Sequence, residues 1–145
     1  MLRRKNICIL IIVVLLILIS LSGCTGVKTA NLEISFDPNP VYCENDLLSW
    51  DVIISETNGI GVNLKNITID AYVGDDYIGN DHILDESWME GVFGTSYLSA
   101  SSSVIYSCGA GPCDDYVGVT LKYEVTGIDD NGHQVEATAE LELMD

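Results

Sequence analysis

The sequence predicts an all-β protein, an antiparallel β-sandwich of about seven strands built from residues 31–145. Three observations support this fold class. Apolar and polar residues alternate in short runs, which is the period of half-buried strands. Segments rich in Gly, Pro, Asn and Asp separate these runs at fairly regular intervals. No long amphipathic helix is indicated after residue 30, so the core is expected between two sheets.

The first two strands show the clearest alternation. Apolar side chains occupy even positions from Leu32 to Phe36, and this strand must end before the prolines at 38 and 40, which cannot donate to a ladder. The second strand runs from Leu48 to Ile54 with the same alternation. It ends at the turn-like segment 56–59.

The third apolar run changes its phase. Its apolar residues lie on even positions up to Leu64 and on odd positions from Ile67 onward. A β-bulge or a tight turn is therefore predicted at Lys65 and Asn66. The residues from Asn66 to Thr68 also form an N-glycosylation sequon, and the phase change would keep the Asn66 side chain exposed.

The segment from residue 74 to residue 106 has a weaker pattern. We expect one irregular strand and a loop up to residue 96, followed by a Ser-rich strand from Tyr97 to Tyr106. Asp85 can cap a single helical turn that includes Met89, because its carboxylate suits the first unpaired backbone donors of a helix. Glycines at 91 and 94 argue against a longer helix.

The last two strands form a hairpin whose register follows from parity. Apolar residues are odd-numbered in both 117–125 and 135–143, so the numbers of paired residues must sum to an even number. A three-residue loop from Asp130 to Gly132 meets this condition, puts glycine at the left-handed position and gives a sum of 262. The predicted pairs include Lys122 with Glu140 and Glu124 with Thr138. A sum of 260 would instead place Glu124 opposite Glu136, two like charges.

Residues 1–23 have the layout of a secretory signal peptide. Basic residues from Arg3 to Lys5 precede an apolar run from Ile7 to Ile19, and small polar residues follow. As a helix the run would span about 20 Å, short of the roughly 30 Å hydrocarbon core, so a permanent transmembrane helix is the weaker interpretation.

The segment Leu21-Ser22-Gly23-Cys24 resembles the lipobox of prokaryotic lipoproteins. This resemblance implies cleavage before Cys24, attachment of diacylglycerol to its thiol and an extracytoplasmic location on the cell membrane. Residues 24–30 would then be a short tether. The strands and turns of 31–145, from segment 36–40 through segment 56–59 to the last hairpin, resemble the immunoglobulin-like modules of prokaryotic surface proteins. We therefore expect a module that binds or supports an envelope protein or polysaccharide.

The charge and the motifs narrow the function classes. Cleavage before Cys24 would remove 23 of the 145 residues and leave three basic against 22 acidic residues, a formal charge of −19. That sign excludes a nucleic-acid-binding protein, because phosphate recognition needs clustered Lys and Arg. Gly-x-Ser-x-Gly, His-Glu-x-x-His and phosphate-binding glycine loops are absent from the sequence. We expect a protein that is not an enzyme and has no cofactor.

Three cysteines, Cys43, Cys108 and Cys113, remain beside Cys24, and thiols outside the membrane tend to pair. A bridge between Cys108 and Cys113 is favoured by proximity and would contribute about 2 kcal/mol. A bridge from Cys43 to Cys113 would close a loop of about 71 residues and contribute about 4 kcal/mol, so both pairings stay open. A thiolate metal site that uses all three with His82 is a further alternative, although no Cys-x-x-Cys pair supports it.

Acidic pairs mark the two ends of the predicted sandwich. If the strands alternate in direction, the cysteine loops share one end with four acidic residues, which are Asp75, Asp76, Asp114 and Asp115. The pair at 129–130 lies at the opposite end, and solvated charge is the simplest interpretation of all three acidic pairs. Because the first strand would begin at the membrane, the end with the cysteines is the candidate contact surface. Ca²⁺ binding by these acids is the alternative function, and a small hydrolase is third.

Overall fold

The computed structural model describes residues 27–145, with the backbone alone at residues 80–82. The predicted signal peptide, Cys24 and the first residues of the predicted tether lie outside this range. No helix within 27–145 has the length and apolar composition needed to cross a membrane.

Residues 27–145 form nine strands, one α-helix and one 3₁₀ turn, arranged as two packed sheets. The elements are β1 (Leu32–Asp37), β2 (Val41–Tyr42), β3 (Leu48–Glu56), β4 (Val62–Val73), β5 (Asp76–Asp85), α1 (Glu86–Phe93), β6 (Tyr97–Leu98), β7 (Ser103–Ala110), the 3₁₀ turn (Cys113–Asp115), β8 (Val119–Asp129) and β9 (Gln134–Met144). One sheet has the order β1-β3-β7, and the other has the order β2-β9-β8-β4-β5 with β6 paired to β4. The predicted immunoglobulin-like β-sandwich is confirmed, with seven strands longer than two residues.

The sequence predicts purely antiparallel sheets, but one of the two sheets contains a parallel strand pair. The two-residue strand β2 runs parallel to β9, and it pairs Val41 with Leu143. Both side chains are buried, so this short pairing closes the side of the sandwich where β1 approaches β9. The other strand pairs within 27–145 are antiparallel.

The predicted phase change in the third apolar run is a β-bulge. Leu64 pairs with Gly127 and Asn66 pairs with Thr126, which leaves Lys65 as the additional residue. In a regular strand Leu64 and Ile67 would face opposite sides of the sheet. The additional residue at the bulge turns both side chains to the buried face. The segment is therefore one long strand, β4, and the tight-turn alternative is wrong.

The predicted hairpin register is confirmed. Lys122 pairs with Glu140 and Glu124 pairs with Thr138, which gives the sum of 262. The three-residue loop closes with the N–H of Asp129 donating to the carbonyl of His133 at 2.9 Å, and Gly132 has a φ of 82°. The strand itself begins at Val119 rather than at residue 117.

The middle of the chain is more regular than the sequence indicates. β5 has ten residues, and α1 has eight residues rather than a single turn. The Asp85 cap is confirmed, since its carboxylate accepts from the N–H of Trp88 at 3.0 Å. The helix continues past Gly91 because Met89 is fully buried and the Trp88 ring packs on Tyr106. Gly94 forms the left-handed C-terminal cap.

The predicted strand from Tyr97 to Tyr106 is wrong in its bounds. The chain forms the two-residue β6, turns at residues 99–102 and starts β7 at Ser103. The turn is fixed by the N–H of Ser102 donating to the carbonyl of Ser99, with Ser101 at a φ of 53°. Serine suits this turn because its small polar side chain can bond to nearby backbone.

Gly91→Ala is expected to stabilise the domain by about 0.5 to 1 kcal/mol, because alanine restricts the unfolded chain and favours helix. Apart from its chain neighbours and the backbone of its own helix, no heavy atom lies within 4 Å of a Cβ placed at Gly91. Gly94→Ala is the matched control and is expected to destabilise, since residue 94 has a φ of 76°. Urea unfolding of the three proteins measures both effects. A loss of stability in Gly91→Ala would contradict this account of α1.

Candidate functional site

The strand directions define two ends of the sandwich. β3, β5 and β8 begin at one end, which contains the segments 38–47, 74–75 and 111–118 and is called the distal end. β1 begins at the other end, which contains the segments 57–61, 94–102 and 130–133 and is called the proximal end. The chain enters at the proximal end, where the N–H of Ala30 donates to Asp129 Oδ2 at 3.1 Å.

The four acidic residues singled out in the sequence lie at the distal end and are exposed. Val73 pairs with Val119, so the turn between β4 and β5 adjoins the segment that leads into β8. This pairing brings the acidic residues of two loops to the same end, namely Asp75, Asp76, Asp114 and Asp115. Their role as a contact surface stays a prediction.

A disulfide joins Cys43 to Cys113 at the distal end, with a Cα–Cα distance of 6.0 Å and a sequence separation of 70. Of the two pairings that the sequence left open, the long bridge is the one formed, and the short bridge to Cys108 is wrong. Cys108 pairs with Trp50 in the interior register of β7, and its side chain faces between the sheets. Cys113 instead begins the 3₁₀ turn and reaches back to the loop before β3.

The disulfide also contradicts the thiolate metal site. Two of its three thiols are consumed in the bridge, and His82 lies in β5, where its backbone pairs with Ile69. Among the described side chains, which leave out those of residues 80–82, no three or more His, Cys, Asp or Glu come together as a group that could hold a metal ion. Ca²⁺ binding stays a prediction.

A tight turn from Glu44 to Leu47 braces the disulfide. Asn45 and Asp46 both have positive φ, 54° and 64°, a conformation that non-glycine residues adopt at a cost. Asp46 Oδ1 accepts from the N–H of Cys113 at 3.0 Å. A Cβ at Gly111 would lie 2.8 Å from the carbonyl oxygen of Asp46, so glycine allows this close approach. The turn and the disulfide segment thus form one rigid unit.

A cavity of about 380 Å³ opens between the sheets at the distal end. The backbone of residues 109–111 forms one side of it. The rest is lined by three aromatic side chains, three aliphatic side chains and one cysteine, namely Trp50, Tyr116, Tyr123, Ile69, Leu121, Leu143 and Cys108. The sequence analysis placed Trp50, Leu121 and Leu143 in the alternating apolar runs of strands and missed the cavity. The small residues 109–111 are no signal for it, because a Cβ at 109 or 111 would lie 3.3 or 2.8 Å from the backbone oxygen of Leu48 or Asp46.

Trp50, Tyr123 and Cys108 each bring a polar group to the lining of this cavity. The indole Nε1 of Trp50 donates to the hydroxyl of Tyr123 at 3.2 Å. Burial raises the pKa of the Cys108 thiol, a hydrogen bond with Tyr123 opposes the rise, and the thiol remains protonated at neutral pH. Tyr106 lies two residues before Cys108 on the same face of β7 and is only 7% exposed. Its hydroxyl has no hydrogen-bond partner among residues 27–145.

At the proximal end, Glu56 is a buried carboxylate enclosed by backbone N–H groups. It is 2% exposed and accepts five of them at 2.8 to 3.2 Å, from Asn31, Asn58, Gly59, Ile60 and Ser101. Burial raises the pKa of Glu56, but these hydrogen bonds outweigh burial and lower it to about 2. The sequence analysis placed residue 56 in a turn and did not detect this role.

Asp129 has a similar role beside Glu56, and its interpretation as solvated charge is wrong. It is buried and accepts from the N–H groups of Ala30, Asn131 and His133. His133 Nδ1 lies 3.3 Å from Asp129 Oδ2. Burial raises the pKa of Asp129, and the hydrogen bonds lower it to below its ordinary value. The two carboxylates hold the entering chain against the proximal loops.

Asn66, the predicted glycosylation position, is exposed at the bulge. Its backbone pairs with Thr126 on one side and with Asp85 on the other. The neighbouring Lys65 forms an ion pair with Glu86 at the start of α1. Modification of Asn66 stays a prediction.

No known family model matches the sequence, and no curated protein matches it. Among solved structures, a Bordetella pertussis protein described as ApaA is similar, with a TM-score of 0.50, 15% identity, and coverage of 81% of this chain and 97% of that one. The two chains share a β-sandwich fold. The CARDB domain of a Pyrococcus furiosus protein is also similar, with a TM-score of 0.41, 15% identity, and coverage of 81% of this chain and 97% of that domain. At these identities the likeness concerns the fold alone.

Proposed function

We propose that this chain is a non-catalytic β-sandwich module, anchored by lipid at Cys24 on the extracytoplasmic face of the membrane, whose distal end contacts another envelope component. The contacted component would be an envelope protein or polysaccharide. The observation that carries the proposal is the position of the chain entry at the proximal end, opposite the exposed acids and the disulfide.

The proximal loops support this orientation because they hold residues 28–31 closely. The side-chain amides of Asn58 and Asn131 donate to the carbonyls of Thr29 and Lys28 at 2.6 and 2.8 Å. Only residues 25–27 would separate the lipidated cysteine from this clamped segment, a reach of about 10 to 14 Å. A lipid on Cys24 would therefore keep the proximal end near the membrane and direct the distal end outward.

The distal carboxylates support a contact role rather than catalysis. Asp114 and Asp115 are exposed on the 3₁₀ turn, and Asp75 and Asp76 are exposed at the turn before β5. Carboxylates used as general acids or bases are usually enclosed in a site that raises their pKa. Exposed acids on a braced loop instead suit recognition of a cationic partner surface.

Mass spectrometry of the protein extracted from membranes tests the anchor. We expect a mature chain that begins at Cys24 and carries the added mass of acyl chains on that residue. Cys24→Ser is expected to abolish the modification and release the protein from the membrane fraction. A native product that begins at Met1 with no added mass on Cys24 would refute the anchor.

Labelling in intact cells tests the orientation. Asp115→Cys at the distal end and Asn131→Cys at the proximal end serve as a matched pair, each made in a Cys108→Ser background so that the native thiol does not react. A membrane-impermeant maleimide is expected to label residue 115 at least as fast as residue 131. If the maleimide labels residue 131 but does not label residue 115, the orientation is the reverse of the one proposed.

A further inference from the structure

We propose that the distal cavity is a binding site for a small aromatic molecule that carries a hydrogen-bonding group and no negative charge. At about 380 Å³ the cavity lies within the range of small-molecule pockets, roughly 300 to 1,000 Å³. This site is independent of the lipid anchor and of the acidic contact surface.

The lining favours an aromatic ring. Trp50, Tyr116 and Tyr123 supply aromatic surface, and aliphatic side chains from both β8 and β9 close the remaining walls. Flat apolar molecules gain most from such surroundings, because they bury area on both faces and make offset ring contacts. Residues 109–111, at the end of β7 and just after it, complete the lining.

The lining also allows a ligand to form hydrogen bonds. The Cys108 thiol and the Tyr123 hydroxyl both belong to residues that line the cavity. A hydroxyl oxygen has two lone pairs and a sulfur atom is a weak acceptor, so a ring N–H on the ligand could donate to either atom.

The charge of the surroundings excludes anions from the cavity. None of the residues that line it is a Lys, Arg or His. Asp46, Asp114 and Asp115 lie on the adjoining distal loops, and the whole chain has a formal net charge of −16. A carboxylate on the ligand would lose its hydration in an apolar cavity and face only like charges.

Methyl NMR of the full-length chain in detergent tests the site with two probes that share one ring, indole and indole-3-acetate. Indole is expected to shift the methyl resonances of Ile69, Leu121 and Leu143 saturably. Indole-3-acetate is expected to bind at least about ten-fold more weakly, because its carboxylate must be desolvated. No saturable shift with indole up to its solubility limit, or equal binding of the two probes, would overturn the proposal.

Two substitutions of Cys108 distinguish binding of indole in the cavity from its partition into the detergent. Cys108→Phe fills the cavity and is expected to abolish the indole shifts, whereas Cys108→Ser keeps its volume and is expected to retain them. Indole is also expected to slow alkylation of the wild-type Cys108 thiol by iodoacetamide, a readout that needs no variant if Cys108→Phe fails to fold. Unchanged alkylation, or indole shifts that persist in a folded Cys108→Phe, would show an ordinary packing void.

Discussion

Replacing Glu56 with glutamine is expected to lower the free energy of unfolding by about 3 kcal/mol, because buried N–H donors lose charged acceptors. Oε1 accepts from Asn31 and Asn58, and Oε2 accepts from three further N–H groups. Whichever way the glutamine amide is turned, its NH₂ group faces at least two N–H donors. The change therefore replaces attraction with repulsion inside a buried turn.

Urea unfolding followed by tryptophan fluorescence at pH 7 measures the effect. Glu136→Gln is the matched control, since Glu136 is exposed on β9 and the same change there should alter stability by less than about 0.5 kcal/mol. If Glu56→Gln and Glu136→Gln unfold at the same urea concentration, the hydrogen bonds to Glu56 do not stabilise the proximal end.

The same carboxylate makes stability depend on pH with a definite sign. The pKa of Glu56 is about 2 in the folded chain against an ordinary value of 4.5. A lowered folded pKa means that its stabilisation is complete above about pH 4.5 and is lost progressively as the pH falls toward 2. The stability difference between the wild type and Glu56→Gln should therefore narrow between pH 5 and about pH 2.

The parts of the fold that could be predicted are those fixed by neighbours in the chain. The hairpin register follows from the parity of 117–125 and 135–143 together with one loop glycine, Gly132. The bulge at Lys65 follows from a change of phase within one strand. In both cases the alternating apolar side chains must all face the core, so few strand registers are compatible with the sequence.

The parts that could not be predicted depend on residues distant in sequence. The donors of Glu56 come from as far as Asn31 and Ser101, so nothing near residue 56 marks it as a buried carboxylate. α1 packs on β7 through the rings of Trp88 and Tyr106, a contact between residues distant in sequence, while Gly91 and Gly94 argue locally against a helix. The cavity is lined by residues from both sheets and by Tyr116, and a strand pattern assigns most of this lining to the core.

Loss of the disulfide is expected to have the largest single effect on stability. Cys43→Ser should lower the free energy of unfolding by about 4 kcal/mol, because the bridge closes a loop of about 71 residues and restricts the unfolded chain accordingly. A short bridge between Cys108 and Cys113 would have contributed only about half as much. The magnitude itself therefore distinguishes the two pairings.

Cys108→Ser is the matched control, because it changes the same atoms at the one free cysteine of residues 27–145. It should cost less than about 1 kcal/mol, since a serine hydroxyl can keep the hydrogen bond with Tyr123. Dithiothreitol should lower the stability of wild type and Cys108→Ser alike and leave Cys43→Ser unchanged. The opposite pattern, with Cys108→Ser as unstable as the reduced protein, would mean that residue 108 is in the bridge. The free thiol would then be Cys43, and the distal loop before β3 would lack its covalent brace.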